Sequence, residues 1–134
     1  MELTEKLKHL EANIALLHEI KQSTPLETFK TNRRYEWEVR YGLLESIQII
    51  IDIACKISSA YNLGNPKSYR ACVELLAQHH YLSSTLAKKV ISMVGLRNLL
   101  VHEYVEIDDE KLYLFLERLD DFTAFAHEIK EHIN

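Results

Sequence analysis

Apolar residues open the chain at alternating steps of four and three: Leu3, Leu7, Leu10, Ile14 and Leu17. That spacing puts them on one stripe of a helix from about Leu3 to Gln22. His9 and His18 fall off the stripe and read as solvated side chains rather than ligands. Ser23-Thr24-Pro25 ends this helix and begins the next, with Thr24, Pro25 and Glu27 at the N-cap, N1 and N3 positions of a capping box. The helical pattern then continues to Asn62. One unbroken helix of that length is unusual, so a break is expected near Thr31-Asn32.

A different pattern marks Leu43 to Ile57. Glu45, Gln48, Asp52 and Lys56 form a narrow polar stripe, and Leu43, Leu44, Ile47, Ile49, Ile50, Ile51, Ile53, Ala54 and Ile57 cover almost everything else. A surface helix of a monomer buries one face; this one is apolar on two. It is expected both at the centre of a bundle and against a second chain. Asn62-Leu63-Gly64-Asn65-Pro66 reads as a loop. Ser68 then caps a shorter helix with Ala71, Cys72, Leu75 and Leu76, ending around His79-His80-Tyr81. Ser83 or Ser84 caps another, which runs through Lys88 and Lys89. After a connector at Val105-Glu106-Ile107, Asp108 caps a final helix. Leu112, Phe115, Leu116, Leu119, Phe122, Ala126 and Ile129 are its buried stripe. The expected fold is all-α: an up-and-down bundle of four to five helices, one domain over residues 1–134, dimerising.

Composition narrows the function. Three glycines and two prolines in 134 residues favour long helices over a sheet with many turns. A net charge of −4 argues against a general nucleic-acid coat. It leaves room for a small site with local arginines, because steering depends on local potential. Arg33 and Arg34 read as a solvated face, whereas Arg40 is placed to line a cleft near the C-terminal motif in a dimer. Cys55 and Cys72 fall among apolar neighbours and read as two small buried hydrophobes, not a disulfide. The chain starts as a charged amphipathic helix without a signal-peptide core, and Ile47–Ile57 is interrupted by Gln48, Asp52 and Lys56. A cytoplasmic protein with no membrane partner is expected. His79 and His80 have no carboxylate or thiol at ligand spacing, and His127/His132 miss the H-E-x-x-H pattern. No metal and no cofactor are expected.

The chemistry concentrates in Gly95-Leu96-Arg97-Asn98-Leu99-Leu100-Val101-His102-Glu103-Tyr104, which follows an amphipathic helix over Leu86–Val94. If the helix continues through Tyr104, Asn98 and His102 share a face, and Arg97 and Tyr104 share the neighbouring stripe. Arg97 and His102, five residues apart, then point about 140° from each other. A single chain would need a bend or a second copy to aim both at one phosphate. Arginine offers phosphate a planar, permanently charged fork, and histidine exchanges a proton near neutrality. The helix dipole alone also favours Arg and His in a last turn, and on spacing alone that plainer reading is the stronger.

The run from Arg97 to Tyr104 resembles the R-x4-H-x-Y signature of HEPN domains of the HepT type, the toxin halves of HepT–MntA toxin–antitoxin pairs. The resemblance extends over essentially the whole chain: its length, its helical pattern, and Arg40-Tyr41-Gly42-Leu43 followed by Gln48 and Asp52. It implies a metal-independent endoribonuclease, in which a 2′-hydroxyl attacks the adjacent phosphate and leaves a cyclic phosphate and a free 5′-hydroxyl. His102 would be acid or base, Arg97 would stabilise the transition state, and Asn98 would orient them. A two-fold dimer would supply both an acid and a base. The resemblance also implies that an MntA-like nucleotidyltransferase antitoxin neutralises the toxin by moving AMP from ATP onto Tyr104. The alternative is a non-catalytic HEPN partner subunit that helps a nucleotidyltransferase bind its substrate. The intact Arg97/His102 pair argues against it.

Overall fold

The computed structural model describes residues 2–102 and 107–133. Its helices are α1 (Glu2–Ser23), α2 (Leu26–Thr31), α3 (Arg33–Ala60), α4 (Tyr69–Gln78), α5 (Ser84–Val101), α6 (Asp109–Phe115) and α7 (Leu119–Lys130). A 3-10 turn at Leu116–Arg118 joins the last two. The short α2 leads into α3, and α6 into α7. Five long helical paths therefore make up the bundle, as the apolar periodicity predicts.

The hub is α3. Leu43, Ile47, Ile49, Ile50, Ile51, Ile53, Ala54 and Ile57 are all buried by the chain's own helices, with α1, α2, α4, α5 and α6 packed around them. The second apolar face is thus used inside the bundle. The five neighbours account for this face, so the expected place of α3 at the centre of the bundle holds, and its apolar girth does not by itself require a second chain. The narrow polar stripe marks where α3 reaches the surface beside α1. Lys56 pairs with Glu2, Asp52 with Lys6 at 3.7 Å, and Glu45 accepts from Asn13 at 2.9 Å. Higher numbers on α3 meet lower numbers on α1, so the two run antiparallel. Hydrogen bonds from Asn13, then Tyr41, and the nearby His9 hold the Glu45 carboxyl below the ordinary carboxylate range. Gly42 lies under Leu17, where an added Cβ would come within 2.9 Å of a leucine methyl.

The caps follow the sequence in most places. Asn32 breaks the chain between α2 and α3, and its side chain accepts from the Arg34 N–H at 3.0 Å. Ser68, Ser83 and Asp108 cap α4, α5 and α6 through their side-chain oxygens. The expected capping box at Thr24 does not form. Pro25 takes the N-cap of α2 without a side-chain bond, and Thr24 is buried. Tertiary packing prevails here, because the Tyr113 hydroxyl crosses from α6 to donate to the Thr24 carbonyl at 2.8 Å. The final helix is also interrupted. Leu116 and Leu119 face inward at the two ends of the turn at Leu116–Arg118, and Phe125, outside the expected stripe, is buried beside Phe122 and Ile129 at helical spacing in α7.

Cys55 and Cys72 are joined by a disulfide, contrary to their reading as separate hydrophobes. The crossing of α3 and α4 sets their Cα atoms 5.0 Å apart, within the range a disulfide spans. Sequence neighbours carry no information about that crossing. No helix of the described residues is long and apolar enough to cross a membrane.

A central α3 makes its core side chains costly to truncate. Ile50→Ala removes a fully buried side chain and should lower unfolding free energy by about 2–5 kcal/mol, read from urea denaturation. A loss well under about 1 kcal/mol would mean the site relaxes freely, as a surface helix does.

Candidate functional site

Helix α5 carries the motif on a firm base. Ser83 accepts from the Leu86 N–H at 3.2 Å, and the Ser83 N–H donates to Glu128 of α7 at 2.8 Å. Leu86, Val90, Met93, Val94, Leu96 and Leu100 are buried, so the remaining face of α5 has a fixed direction. Arg97 lies at the margin of that face, half-buried.

Its guanidinium is held on several sides. Arg97 Nε donates to Gln48 Oε1 at 3.0 Å, and Gln48 Nε2 donates onward to Asp52 Oδ1 at 2.9 Å. The Arg97 ring-like plane lies over Tyr69 of α4, 5.1 Å from the ring centroid. Nη1 makes a longer bond of 3.4 Å to Asn98 Oδ1. A guanidinium has five N–H donors in a rigid fork. With Nε and one Nη1 hydrogen engaged, the Nη2 group makes no hydrogen bond among the described residues. The planar cation is therefore fixed in orientation and still has donors to offer an anion.

The helix ends sooner than the extended pattern implies. Val101 is the last residue of α5, and His102 follows in an extended conformation, φ −84° and ψ 101°. The shared faces of Asn98 with His102 and of Arg97 with Tyr104 required a helix through Tyr104, so they do not apply. The chain turns here because α6 must come back against α2 and α3. Asn98 and His102 are both exposed. The structure thus brings Arg97 and Asn98 into contact and places His102 just past the helix end. Tyr104 lies outside the described residues.

Arg97 meets Gln48, and Leu100 lines a cleft together with Arg40, so α5 runs antiparallel to α3. That cleft, about 970 Å³, also takes in Arg33, Trp37 and Ile107. Arg40 lines it within one chain and donates to Glu36 at 2.9 Å. Arg34 is solvated as expected, beside Glu38 one turn along. Gln48 and Asp52 were visible in the sequence as a polar stripe, without a partner. Tyr69 carried no local signal, since its contact with Arg97 depends on how α4 crosses α5. Among the described residues, no group of three His, Cys, Asp or Glu side chains could hold a metal.

Comparison with known proteins bears on this arrangement. The family model described as "Ribonuclease HepT-like" matches residues 10–129. The chain is 35% identical over 103 residues to the "mRNA nuclease HepT" of Shewanella oneidensis, covering 76% of this chain and 77% of that one. It is 31% identical over 88 residues to the "tRNA nuclease HepT" of Aphanizomenon flos-aquae, covering 64% and 59%. The structure superposes on a tri-AMPylated Shewanella oneidensis HEPN toxin in complex with an MNT antitoxin with a TM-score of 0.88, 28% identity and 96% of each chain covered. A cytosolic Bacillus subtilis protein of unknown function, YutE, shares the fold alone at a TM-score of 0.85 and 16% identity. Sequence and fold agree over nearly the full length: the chain belongs to the ribonuclease HepT-like family and is a HEPN-fold enzyme of that ribonuclease class.

Proposed function

We propose that this chain is the toxin of a toxin–antitoxin pair, an endoribonuclease that cuts RNA without metal through Arg97, Asn98 and His102. One observation carries the reading: a half-buried arginine, locked by Gln48 and Tyr69 with donors to spare, stands one turn before an exposed histidine. In the reaction the RNA 2′-oxygen bonds to the adjacent phosphorus as the bond to the 5′-oxygen breaks. A base takes the 2′-hydroxyl proton, and an acid returns a proton to the leaving 5′-oxygen. Arg97 stabilises negative charge on the non-bridging oxygens, and its prior orientation removes reorganisation from that step. Asn98 braces the guanidinium. His102 is one proton carrier. A two-fold dimer supplies the other from a second copy, and this chemical need now supports the dimer in place of the apolar face of α3.

The partner is an MntA-like nucleotidyltransferase antitoxin, which silences the toxin at Tyr104 in the cytoplasm. The Tyr104 hydroxyl attacks the α-phosphorus of ATP and pyrophosphate leaves. Each phosphodiester-linked AMP places a negative charge near the motif, where it competes with RNA for the guanidinium. The Shewanella oneidensis relative, a tri-AMPylated toxin in complex with its antitoxin, supports this reading. A non-catalytic role gains nothing from an arginine held so firmly.

Purified protein should cut RNA in EDTA, and Arg97→Ala or His102→Ala should abolish cutting with helicity unchanged by circular dichroism. Full activity of His102→Ala would end the assignment. Gln48→Leu removes the acceptor that orients Arg97 and should lower kcat by about tenfold or more, while Gln48→Asn, which keeps an acceptor for Arg97 and a donor for Asp52 on a shorter side chain, recovers part of it. Equal losses in both would reduce Gln48 to a packing role.

For assembly, sedimentation at micromolar concentration should give a dimer or larger. Mixing wild-type with excess His102→Ala chains should depress cutting below the share of wild-type chains added, because a mixed dimer keeps one histidine. A fully active monomer excludes the shared histidines.

Co-expression with the cognate nucleotidyltransferase should add mass in steps of AMP to the peptide containing Tyr104. Tyr104→Phe should remain unmodified and escape neutralisation. Neutralisation of the wild-type chain with no mass added to that peptide would disprove the covalent switch.

A further inference from the structure

The cleft beside the motif contains a feature that neither packing nor the proposed chemistry uses. Trp37, the sole tryptophan of the chain, is 60% exposed on the first turns of α3. Its ring is held by Arg33, whose guanidinium carbon lies 5.2 Å from the ring centroid. Arg33 makes no ion pair among the described residues. Lys30, Arg33 and Arg40 line the cleft against two carboxylates, Glu36 and Asp109. Glu36 is engaged by Arg40, and burial, followed by the nearby Glu36 and Asp108, raises the Asp109 carboxyl above its ordinary value. Lys30 is likewise taken up by Glu110 at 2.6 Å, so among the cations of this wall Arg33 keeps its charge without an ion-pair partner among the described residues, stacked on the exposed indole.

The position of this surface matters as much as its composition. Leu100, two residues before His102, lines the same cleft. Trp37 and Gln48, eleven residues apart, lie on nearly the same side of α3, about 16 Å along its axis. Gln48 is the residue that holds Arg97. A strand whose phosphate sits at Arg97 can therefore follow α3 past Arg40 and reach the indole. Large exposed aromatics next to arginine are the standard means of holding unpaired bases without reading their sequence. Duplex RNA hides its base faces and offers nothing to stack.

We propose that the Trp37–Arg33 wall of this cleft is a landing site for single-stranded RNA: Trp37 stacks a base a short way along the strand from the scissile phosphate, Arg40 faces the intervening backbone, and Arg33 braces the indole and meets the strand beyond it. This rests on the reading of the chain as a ribonuclease and adds where its substrate is gripped.

The test uses the full chain with His102→Ala, which binds without cutting, and a fluorescein-labelled twelve-nucleotide oligouridylate. Unlabelled oligouridylate should quench Trp37 fluorescence saturably, and the matching duplex should not. By anisotropy, adding Trp37→Leu should weaken binding by about tenfold or more, and Trp37→Phe, which keeps a stacking face, should restore much of it. Arg33→Ala should weaken binding and flatten its dependence on salt. Unchanged affinity in Trp37→Leu, or no quenching, overturns the landing site. So does a drop in sedimenting mass for Trp37→Leu, which would make this wall a contact between copies. Cutting of the same RNA by the wild-type chain tests the parent reading separately. Cutting without dependence on Trp37 removes only the landing site, and binding through Trp37 without cutting removes only the ribonuclease.

Discussion

The constraint on which this structure depends is the apolar girth of α3. A helix with isoleucine at positions 47, 49, 50, 51, 53 and 57 cannot leave more than a narrow strip in water without exposing large apolar area. Five helices therefore gather around it, and each must run so that its own stripe faces inward. The antiparallel courses of α1 and α5 against α3 follow from that requirement. Only the line of Glu45, Gln48, Asp52 and Lys56 remains open to polar partners. On the α1 side it is answered by Glu2, Lys6 and Asn13. Where it turns towards α5, it receives Arg97.

The site is thus a consequence of how the core closes. Arg97 is neither in water nor in the apolar interior. It stands at the boundary, where a guanidinium can keep its charge while its orientation is set by an amide and an aromatic ring. An arginine loose in solvent would first have to lose its conformational freedom before it could stabilise a phosphate. Here the packing of α3, α4 and α5 has already restricted it. The same closing sets the end of α5. The chain has to turn at Val101 to carry α6 back to α2 and α3, so His102 emerges from a helix end instead of lying along a helix face. The cleft lined by Arg33, Trp37, Arg40 and Leu100 opens beside this helix end.

The disulfide between Cys55 and Cys72 fits the same scheme. It ties α4 to the hub three residues from Tyr69, the ring beneath Arg97. The helix that supplies the aromatic support of the site is therefore covalently attached to the helix that supplies its hydrogen-bond support.

By itself the sequence determined what is local. The leucine stripe of α1, a break near Thr31-Asn32, the loop at Asn62–Pro66 and caps at Ser68, at Ser83 or Ser84, and at Asp108 are all written within a few residues, because periodicity and capping act over one turn of helix. It also placed arginine, amide and histidine together near the end of α5, with types suited to phosphate chemistry. Tertiary structure alone decided the rest. Whether α3 spends its second face on its own chain, whether Thr24 caps or turns inward, where α5 stops, and that Gln48 and Tyr69 are the residues that aim Arg97 all depend on helix crossings between distant segments. Those crossings are fixed by burial summed over the whole bundle, and no window of neighbouring residues contains that sum.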